Sequence, residues 1–119
     1  MENENIEISE IVKAIKISKE YIKIKKDLIK QLKLMKANIP TFLSQINDYM
    51  SMWVVKELLI RDIETRGVIA SYNNGGGQSG MKKNDSVTDQ IKVNAQMLKL
   101  LDALNIKSTT LVADEKDEM

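Results

Sequence analysis

The sequence predicts an all-α fold with three main helices, two of them long and antiparallel and one shorter, and a Gly-rich loop or small β-hairpin before the third helix. Apolar side chains recur at helical spacing through most of the chain, which favours amphipathic helices. The single proline, Pro40, separates the first two helical segments, and four of the five glycines lie between Gly75 and Gly80. Only five of the 119 residues are aromatic, so the predicted core is aliphatic.

The first predicted helix covers the apolar positions from Ile11 to Met35. Alternating isoleucine and lysine residues also fit a strand in two short runs, but the lysines keep their register over about five helical turns, which favours one helix. Asn38 is expected to close this helix in a left-handed conformation, and Pro40 prevents its continuation. Six lysines, three or four residues apart, form a stripe within about 100° of one helix face: Lys16, Lys19, Lys23, Lys26, Lys30 and Lys33.

The second predicted helix begins at Pro40, because proline suits the first helical position. It ends at Arg66, because Gly67 follows. At about 1.5 Å per residue this helix is about 40 Å long, and its apolar positions widen beyond one stripe past Met52. One chain of 119 residues does not easily cover such helices. The sequence therefore predicts self-association.

The segment between the second and third helices suits a small hairpin or a loop, since residues 68–72 are β-prone and glycines follow. The third predicted helix opens at Ser86, whose hydroxyl is expected to cap it together with Asp89. Asn105 is the predicted stop. The apolar stripe of this helix consists of Val87, Ile91, Asn94, Leu98, Leu101 and Leu104.

Composition argues against several functional classes. The chain has no Cys and no His, which removes thiolate and imidazole chemistry. Gly75 and Gly80 have the spacing of a phosphate-binding loop, but Met81 stands where that loop needs lysine. We therefore expect no enzyme, no cofactor, no metal site and no membrane span. The acidic side chains of the second helix are interpreted as a solvated face, since nothing clusters them with other hard ligands: Asp48, Glu57, Asp62 and Glu64.

The formal net charge of +1 hides an asymmetry along the chain. Residues 1–12 carry four glutamates and no basic side chain, whereas residues 13–36 carry nine lysines against two acids. A lysine stripe suits nucleic-acid phosphates; an anionic membrane surface or an ordinary solvated face are the alternatives. Lys82 and Lys83 are further candidate phosphate contacts, and the adjacent Asn84 is either a contact or a turn residue.

Four segments within about residues 28–107 carry a combined signature. They are Asp48-Tyr49-Met50 with Trp53, residues 63–68, residues 74–80 with Lys82-Lys83-Asn84, and residues 94–101 with Leu104-Asn105-Ile106. In this order the segments resemble the small subunit of tailed-phage terminases, in the family common among phages of Gram-positive bacteria. Two positions depart from the family pattern: Ile39 replaces a frequent threonine before the proline, and Asn105 replaces the usual glycine.

The resemblance implies a non-enzymatic packaging factor. Such a protein forms a ring, recognises the packaging start region of viral DNA, and recruits and regulates the large terminase subunit, which supplies the ATPase and nuclease. The implied partners are double-stranded phage DNA, the large subunit and further copies of the chain, in the host bacterial cytoplasm and outside the mature virion. The candidate DNA contacts are the six stripe lysines with Lys82 and Lys83.

The predicted organisation is an N-terminal tail over residues 1–9, a helical terminase small subunit domain over residues 10–107, and a flexible acidic tail over residues 108–119. By analogy, the tail beyond Ala113 is the candidate docking segment for the large subunit. Two other functions remain open. One is a small helical transcription regulator that binds DNA, and the other is a coiled-coil oligomeric adaptor without DNA contact.

Overall fold

A computed structural model describes residues 2–75 and 78–106. This part of the chain contains four helices and one hairpin, so the predicted mostly helical character is confirmed, and of the predicted loop or small β-hairpin the structure has the hairpin. The predicted acidic tail 108–119 lies outside the described residues. The elements are α1 (Glu2–Lys16), α2 (Lys19–Leu34), α3 (Pro40–Arg66), β1 (Ile69–Gly75), β2 (Gln78–Lys83) and α4 (Asp85–Ala103).

The first helical region is two helices, so the prediction of one continuous helix is wrong. The Ser18 hydroxyl donates to the Ile15 carbonyl oxygen at 2.6 Å and accepts from the Tyr21 amide at 3.3 Å. Ser18 is thus the N-cap of α2, because its side chain satisfies a backbone donor that the new helix leaves open. Lys16 consequently belongs to α1, and the other five stripe lysines belong to α2. Residues 2–9, assigned to a tail, are helical.

Left-handed residues end two of the helices. Lys36, with φ 57°, follows α2 and allows the Ala37 amide to donate to the Leu32 carbonyl oxygen at 2.8 Å, so Asn38 is not the left-handed residue. Asn105, with φ 59°, does the same after α4, where the Ile106 amide donates to the Leu101 carbonyl oxygen at 2.9 Å. The prediction for Asn105 is therefore confirmed, and the one for Asn38 is wrong.

The boundaries of α3 agree with the sequence prediction. Pro40 begins the helix after Ile39, whose aliphatic side chain forms no capping hydrogen bond. Gly67 ends it with φ 81°, a left-handed value that favours glycine, and its amide donates to the Ile63 carbonyl oxygen at 2.7 Å. At about 1.5 Å per residue, α3 is about 40 Å long and provides the axis on which the other elements pack.

The start of α4 differs from the prediction by two residues. Asn84 is the N-cap, and its Oδ1 accepts from the Ser86 amide at 3.0 Å. Ser86 is therefore inside the helix, where its hydroxyl reaches back to α3 at Asp62. An asparagine and a serine two residues apart are both good caps, and the contact with α3 decides between them.

The core joins α2, α3 and the C-terminal end of α4. Tyr21 meets Trp53 edge to face, with ring centroids 5.9 Å apart. Since the chain reverses at residues 35–39, a contact so far from the turn shows that α2 and α3 run antiparallel, as predicted. Six buried side chains form the apolar cluster near this turn: Leu28, Leu32, Ile46, Met50, Leu104 and Ile106.

The hairpin follows α3 directly and has a clear inner and outer face. Ala70 is buried, and its cross-strand partner is Lys82. Ile69 pairs with Lys83 and Ser71 pairs with Met81, so these four side chains share the outer face. Both Ile69 and Met81 are exposed there.

Candidate nucleic-acid interface

Five of the six lysines of α2 lie on the helix face opposite the core, and Lys25 lies nearer the core side. Leu28, Gln31 and Leu32 are the buried residues of α2. At about 100° per residue, the five lysines are centred about 180° around the helix from Leu28. Lys30 on this face is half-buried. The other four lysines are exposed: Lys19, Lys23, Lys26 and Lys33. From Lys19 to Lys33, fourteen positions later, this face extends about 21 Å; we call it the α2 cationic face.

The remaining predicted lysines are not continuous with this face. Lys16 is exposed but precedes the break at Ile17–Ser18, so the predicted six-lysine stripe on one helix is wrong for this residue. Lys82 and Lys83 lie on β2, beyond the other end of α3. Since Tyr21 contacts Trp53 and α3 continues to Arg66, about 20 Å of helix separates that contact from the hairpin.

The two hairpin lysines have different surroundings. Lys82 shares the inner face with Ala70, and its Nζ lies 3.7 Å from Oδ2 of Asp85. Both side chains of this pair are largely exposed, so the contact is weak. Lys83 projects from the outer face beside Ile69. Of the two, Lys83 therefore has the more open position for a phosphate.

A polar cluster at the C-terminal end of α3 was not predicted from the sequence. The Arg66 guanidinium binds Asp62 through two hydrogen bonds of 2.7 Å, Nε to Oδ1 and Nη2 to Oδ2. The Ser86 hydroxyl donates to Asp62 Oδ2 at 2.6 Å, and Asn84 Nδ2 donates to the same oxygen at 3.2 Å. Asn84 Nδ2 also reaches the Gly67 carbonyl oxygen at 2.9 Å. We call Asp62, Arg66, Asn84 and Ser86 the Asp62 cluster.

The Asp62 carboxylate has a lowered pKa. Hydrogen bonds from Arg66, then from Ser86 and Asn84, hold the pKa of Asp62 well below its usual range because they favour the charged form. The same contact with Asp62 raises the pKa of Arg66. Asp62 is more than part of a solvated acidic face: its side chain is still 31% exposed, but its carboxylate binds three partners.

The Asp62 cluster positions the hairpin relative to α3. Asn84 is buried and caps α4. It also closes the base of the hairpin, because its backbone N–H donates to the Val68 carbonyl oxygen at 2.6 Å. Because one carboxylate holds the residues on both sides of the hairpin, β2 and its lysines have a fixed base. The pair Asp62 and Arg66 has the i, i+4 spacing of a helical ion pair, which is the signal that the sequence offers for this cluster.

The described part of the chain, residues 2–75 and 78–106, contains no cluster of potential metal ligands and no candidate membrane span. No three Asp or Glu side chains converge within these residues. In the same ranges, no helix combines the length and the apolar character that a bilayer crossing requires. Tyr49 and Trp53 lie against the apolar core, and burial raises the pKa of Tyr49.

Comparison with known proteins gives no match for this chain among family models, curated proteins or solved structures.

Proposed function

We propose that this chain is the small subunit of a phage terminase: a ring-forming, DNA-binding factor without enzymatic activity that recognises the viral packaging site in the host cytoplasm. In this role it recruits and regulates the large subunit, which hydrolyses ATP and cuts DNA. Its DNA contacts are made to phosphates, principally by the α2 cationic face.

The observation that carries the DNA-binding proposal is the direction of that face. Four exposed lysines spread over about 21 Å on one side of a rigid helix suit a duplex backbone. Leu28 and Leu32 on the opposite side of α2 supply the packing against the core, and the four exposed lysines point away from it. Lys83 on the outer face of the hairpin is the second, separate contact.

The four sequence segments that resemble terminase small subunits support the remainder of the proposal. They fall on α3, on its C-terminal Gly67, on the hairpin, and on α4. These elements form one unit, since the Asp62 cluster joins them. The α2 cationic face lies largely outside the resemblance, so its role depends on charge and exposure alone.

The direct test removes the positive charge without changing the helix. In a variant with Lys19, Lys23, Lys26 and Lys33 replaced by Gln, we expect the affinity for linear duplex DNA to fall and the dependence of log K on log salt to become shallower. Each lost phosphate contact removes about 0.9 from that slope. The measurement is fluorescence anisotropy with a labelled duplex at several salt concentrations.

The matched control replaces the same four lysines by Arg, which keeps the charge, and it should bind DNA with a similar slope. Circular dichroism should show the same helix content in both variants. If the Gln variant binds as the unmodified protein does, the α2 cationic face is not the DNA interface. If the unmodified protein binds no DNA at low salt, the oligomeric adaptor is the better function.

A further inference from the structure

The last described residue, Ile106, lies close to the C-terminal half of α2. Ile106 is 5% exposed and belongs to the apolar cluster that also contains Leu28 and Leu32 of α2. Lys33 follows Leu32 directly and forms the end of the α2 cationic face. The chain therefore continues into residue 107 near that end of the face.

The sequence that follows Ile106 is acidic, whereas the α2 cationic face is basic. Residues 114–118 carry four acidic side chains and one lysine; we call them the acidic segment. The seven residues between Ile106 and the acidic segment carry one lysine and no acid. Carboxylates are attracted to an exposed lysine row, and the attraction grows as the salt concentration falls. The chain thus contains an anionic segment that suits the face.

The length of the chain permits this contact. When extended, residues 107–113 reach at most about 23 Å, whereas half the circumference of a helix about 11 Å wide is about 17 Å. The acidic segment itself extends about 16 Å. On α2, Lys33 and Lys23 are about 15 Å apart along the helix axis. The acidic segment can therefore pass around α2 and lie along the lysines of its own chain.

The acidic side chains of α2 do not neutralise the α2 cationic face. At about 100° per residue, Glu20 and Asp27 lie about 80–100° around the helix from the centre of the face. Within the described residues, the four exposed lysines of the face form no ion pair. The face therefore keeps its positive charge for a mobile or tethered anion.

The other acidic side chains at this end of the molecule lie on outward helix sides. Asp48 of α3 and Asp102 of α4 are exposed, and each is about 160° around its helix from a buried residue, Ile46 and Leu104 respectively. Lys99 shares its side of α4 with Asp102, which offsets its charge. Since both carboxylates repel an acidic segment, α2 is the favoured surface for it at this end.

We propose that the acidic segment occupies the α2 cationic face of its own chain and competes there with DNA phosphates. Its first carboxylates lie near Lys33, and its last ones lie nearer Lys23. This inference rests on the DNA binding in the proposed function and adds the regulation of that binding. DNA gains the lysines only when it displaces the acidic segment.

A tethered competitor of this kind needs only a weak contact. A segment on a short linker has an effective concentration of about millimolar. If it covers the face for about nine-tenths of the time, the apparent affinity for DNA falls about tenfold. Salt also weakens the competing contact, so the affinity of the unmodified protein should depend less steeply on salt than that of a chain without the acidic side chains.

The first test neutralises the acidic segment in the full-length protein. A variant that combines Asp114→Asn, Glu115→Gln, Asp117→Asn and Glu118→Gln should bind a labelled linear duplex about tenfold more tightly at low salt, with a steeper salt slope. The matched control combines Glu2→Gln, Glu4→Gln, Glu7→Gln and Glu10→Gln, which changes the net charge equally. Its affinity should stay within about twofold of the unmodified protein. Equal gains in the two variants would overturn the proposal, because net charge alone would then explain them.

The second test detects the contact without DNA, since the chain has no cysteine of its own. Ile22→Cys, beside the lysines of α2, is combined with Met119→Cys, and the protein is treated with a short bis-maleimide reagent at low salt. We expect a strong product within one chain, identified by its mass. The yield should fall several-fold at 1 M salt and when Lys19, Lys23, Lys26 and Lys33 are replaced by Gln.

The control for the crosslink pairs Met119→Cys with Gln96→Cys, an exposed position on α4 at a similar distance along the chain path from Ile106. Its yield should be several-fold lower. Equal yields, insensitivity to salt, or products that join two chains in place of one would overturn the proposal.

The two tests separate this inference from the proposed function. DNA binding by the unmodified protein without the intrachain product contradicts only the role of the acidic segment. An intrachain product together with no DNA binding by either the unmodified or the neutralised protein contradicts the competition with DNA and the proposed DNA-binding function, and identifies the α2 cationic face as a site for the acidic segment alone.

Discussion

The two ends of α3 are held by different interactions. Near its start, Ile46 and Met50 pack with Leu28 and Leu32 of α2 and with Leu104 in a cluster of aliphatic side chains. At its C-terminal end, the Asp62 cluster joins α3 to the hairpin and α4 through charged and polar hydrogen bonds. The first end depends on the removal of apolar surface from water, and the second on directional bonds between four side chains.

This difference predicts different responses to perturbation. An aliphatic cluster has no titratable group, so its contribution does not depend on pH, and it tolerates changes of shape better than changes of volume. A hydrogen-bonded carboxylate responds to pH and loses several bonds when one partner is removed. The apolar end therefore sets the global stability, and the polar end sets the position of the hairpin.

The largest expected effect is at the apolar end. Leu32 is 0% exposed, so Leu32→Ala leaves a cavity and should lower the free energy of unfolding by about 2–5 kcal/mol. Urea denaturation followed by circular dichroism measures this change. Leu34→Ala on the same helix removes an exposed leucine and should change the stability by less than about 0.5 kcal/mol. Similar losses in both variants would contradict the assignment of the core.

The next effect is at the polar end. Asn84→Ala removes the cap of α4 and the bonds to Gly67 and Asp62, and we expect a loss of about 2 kcal/mol. Amide hydrogen exchange should accelerate in the hairpin more than in the apolar cluster. Asn47→Ala, at an exposed position within α3, should cost nothing because alanine is the better helix former. An equal effect of the two substitutions would show that Asn84 does not hold the hairpin.

A smaller effect concerns pH. The pKa of Asp62 is lower in the folded chain than in the unfolded one, so its stabilisation is complete above the unfolded pKa of about 3.9 and is lost as the pH falls toward the folded value. Asp62→Asn should therefore flatten the decrease in stability between about pH 5 and pH 2. Thermal unfolding across this range measures it, and Asp48→Asn on the same helix is the control. If the Asp62→Asn variant keeps the full decrease in stability at low pH, Asp62 is not the source of that decrease.

Sequence reasoning succeeded where one residue decides the structure. Pro40 and Gly67 delimit α3 because proline restricts the helix start and glycine accepts a positive φ. The left-handed Asn105 follows from the same argument. These local rules need no knowledge of the neighbouring elements, so they could be applied to the sequence alone.

Sequence reasoning failed at two helix starts, one decided by local contacts and the other by a distant contact. Ser18 breaks the first helical region, although the lysine spacing on either side fits one helix. Ser86 was predicted as the N-cap of the last helix. Its hydroxyl instead donates to Asp62 on α3, and Asn84 is the N-cap of α4. The candidate site was predicted in part. The five stripe lysines of α2 share one face, on which four are exposed. Lys16 lies on another helix, and Lys82 and Lys83 lie beyond the other end of α3.

The smallest expected effect sharpens the comparison, because it concerns a polar group within the apolar end. Gln31 is 1% exposed, and its Oε1 finds no hydrogen-bond partner among the described residues. A buried acceptor without a partner costs free energy, so Gln31→Leu should raise the free energy of unfolding by about 1 kcal/mol. Urea denaturation measures it, and Gln96→Leu on the exposed side of α4 is the control. A destabilised Gln31→Leu variant would mean that this amide is satisfied in solution and that the apolar end contains a polar contact of its own.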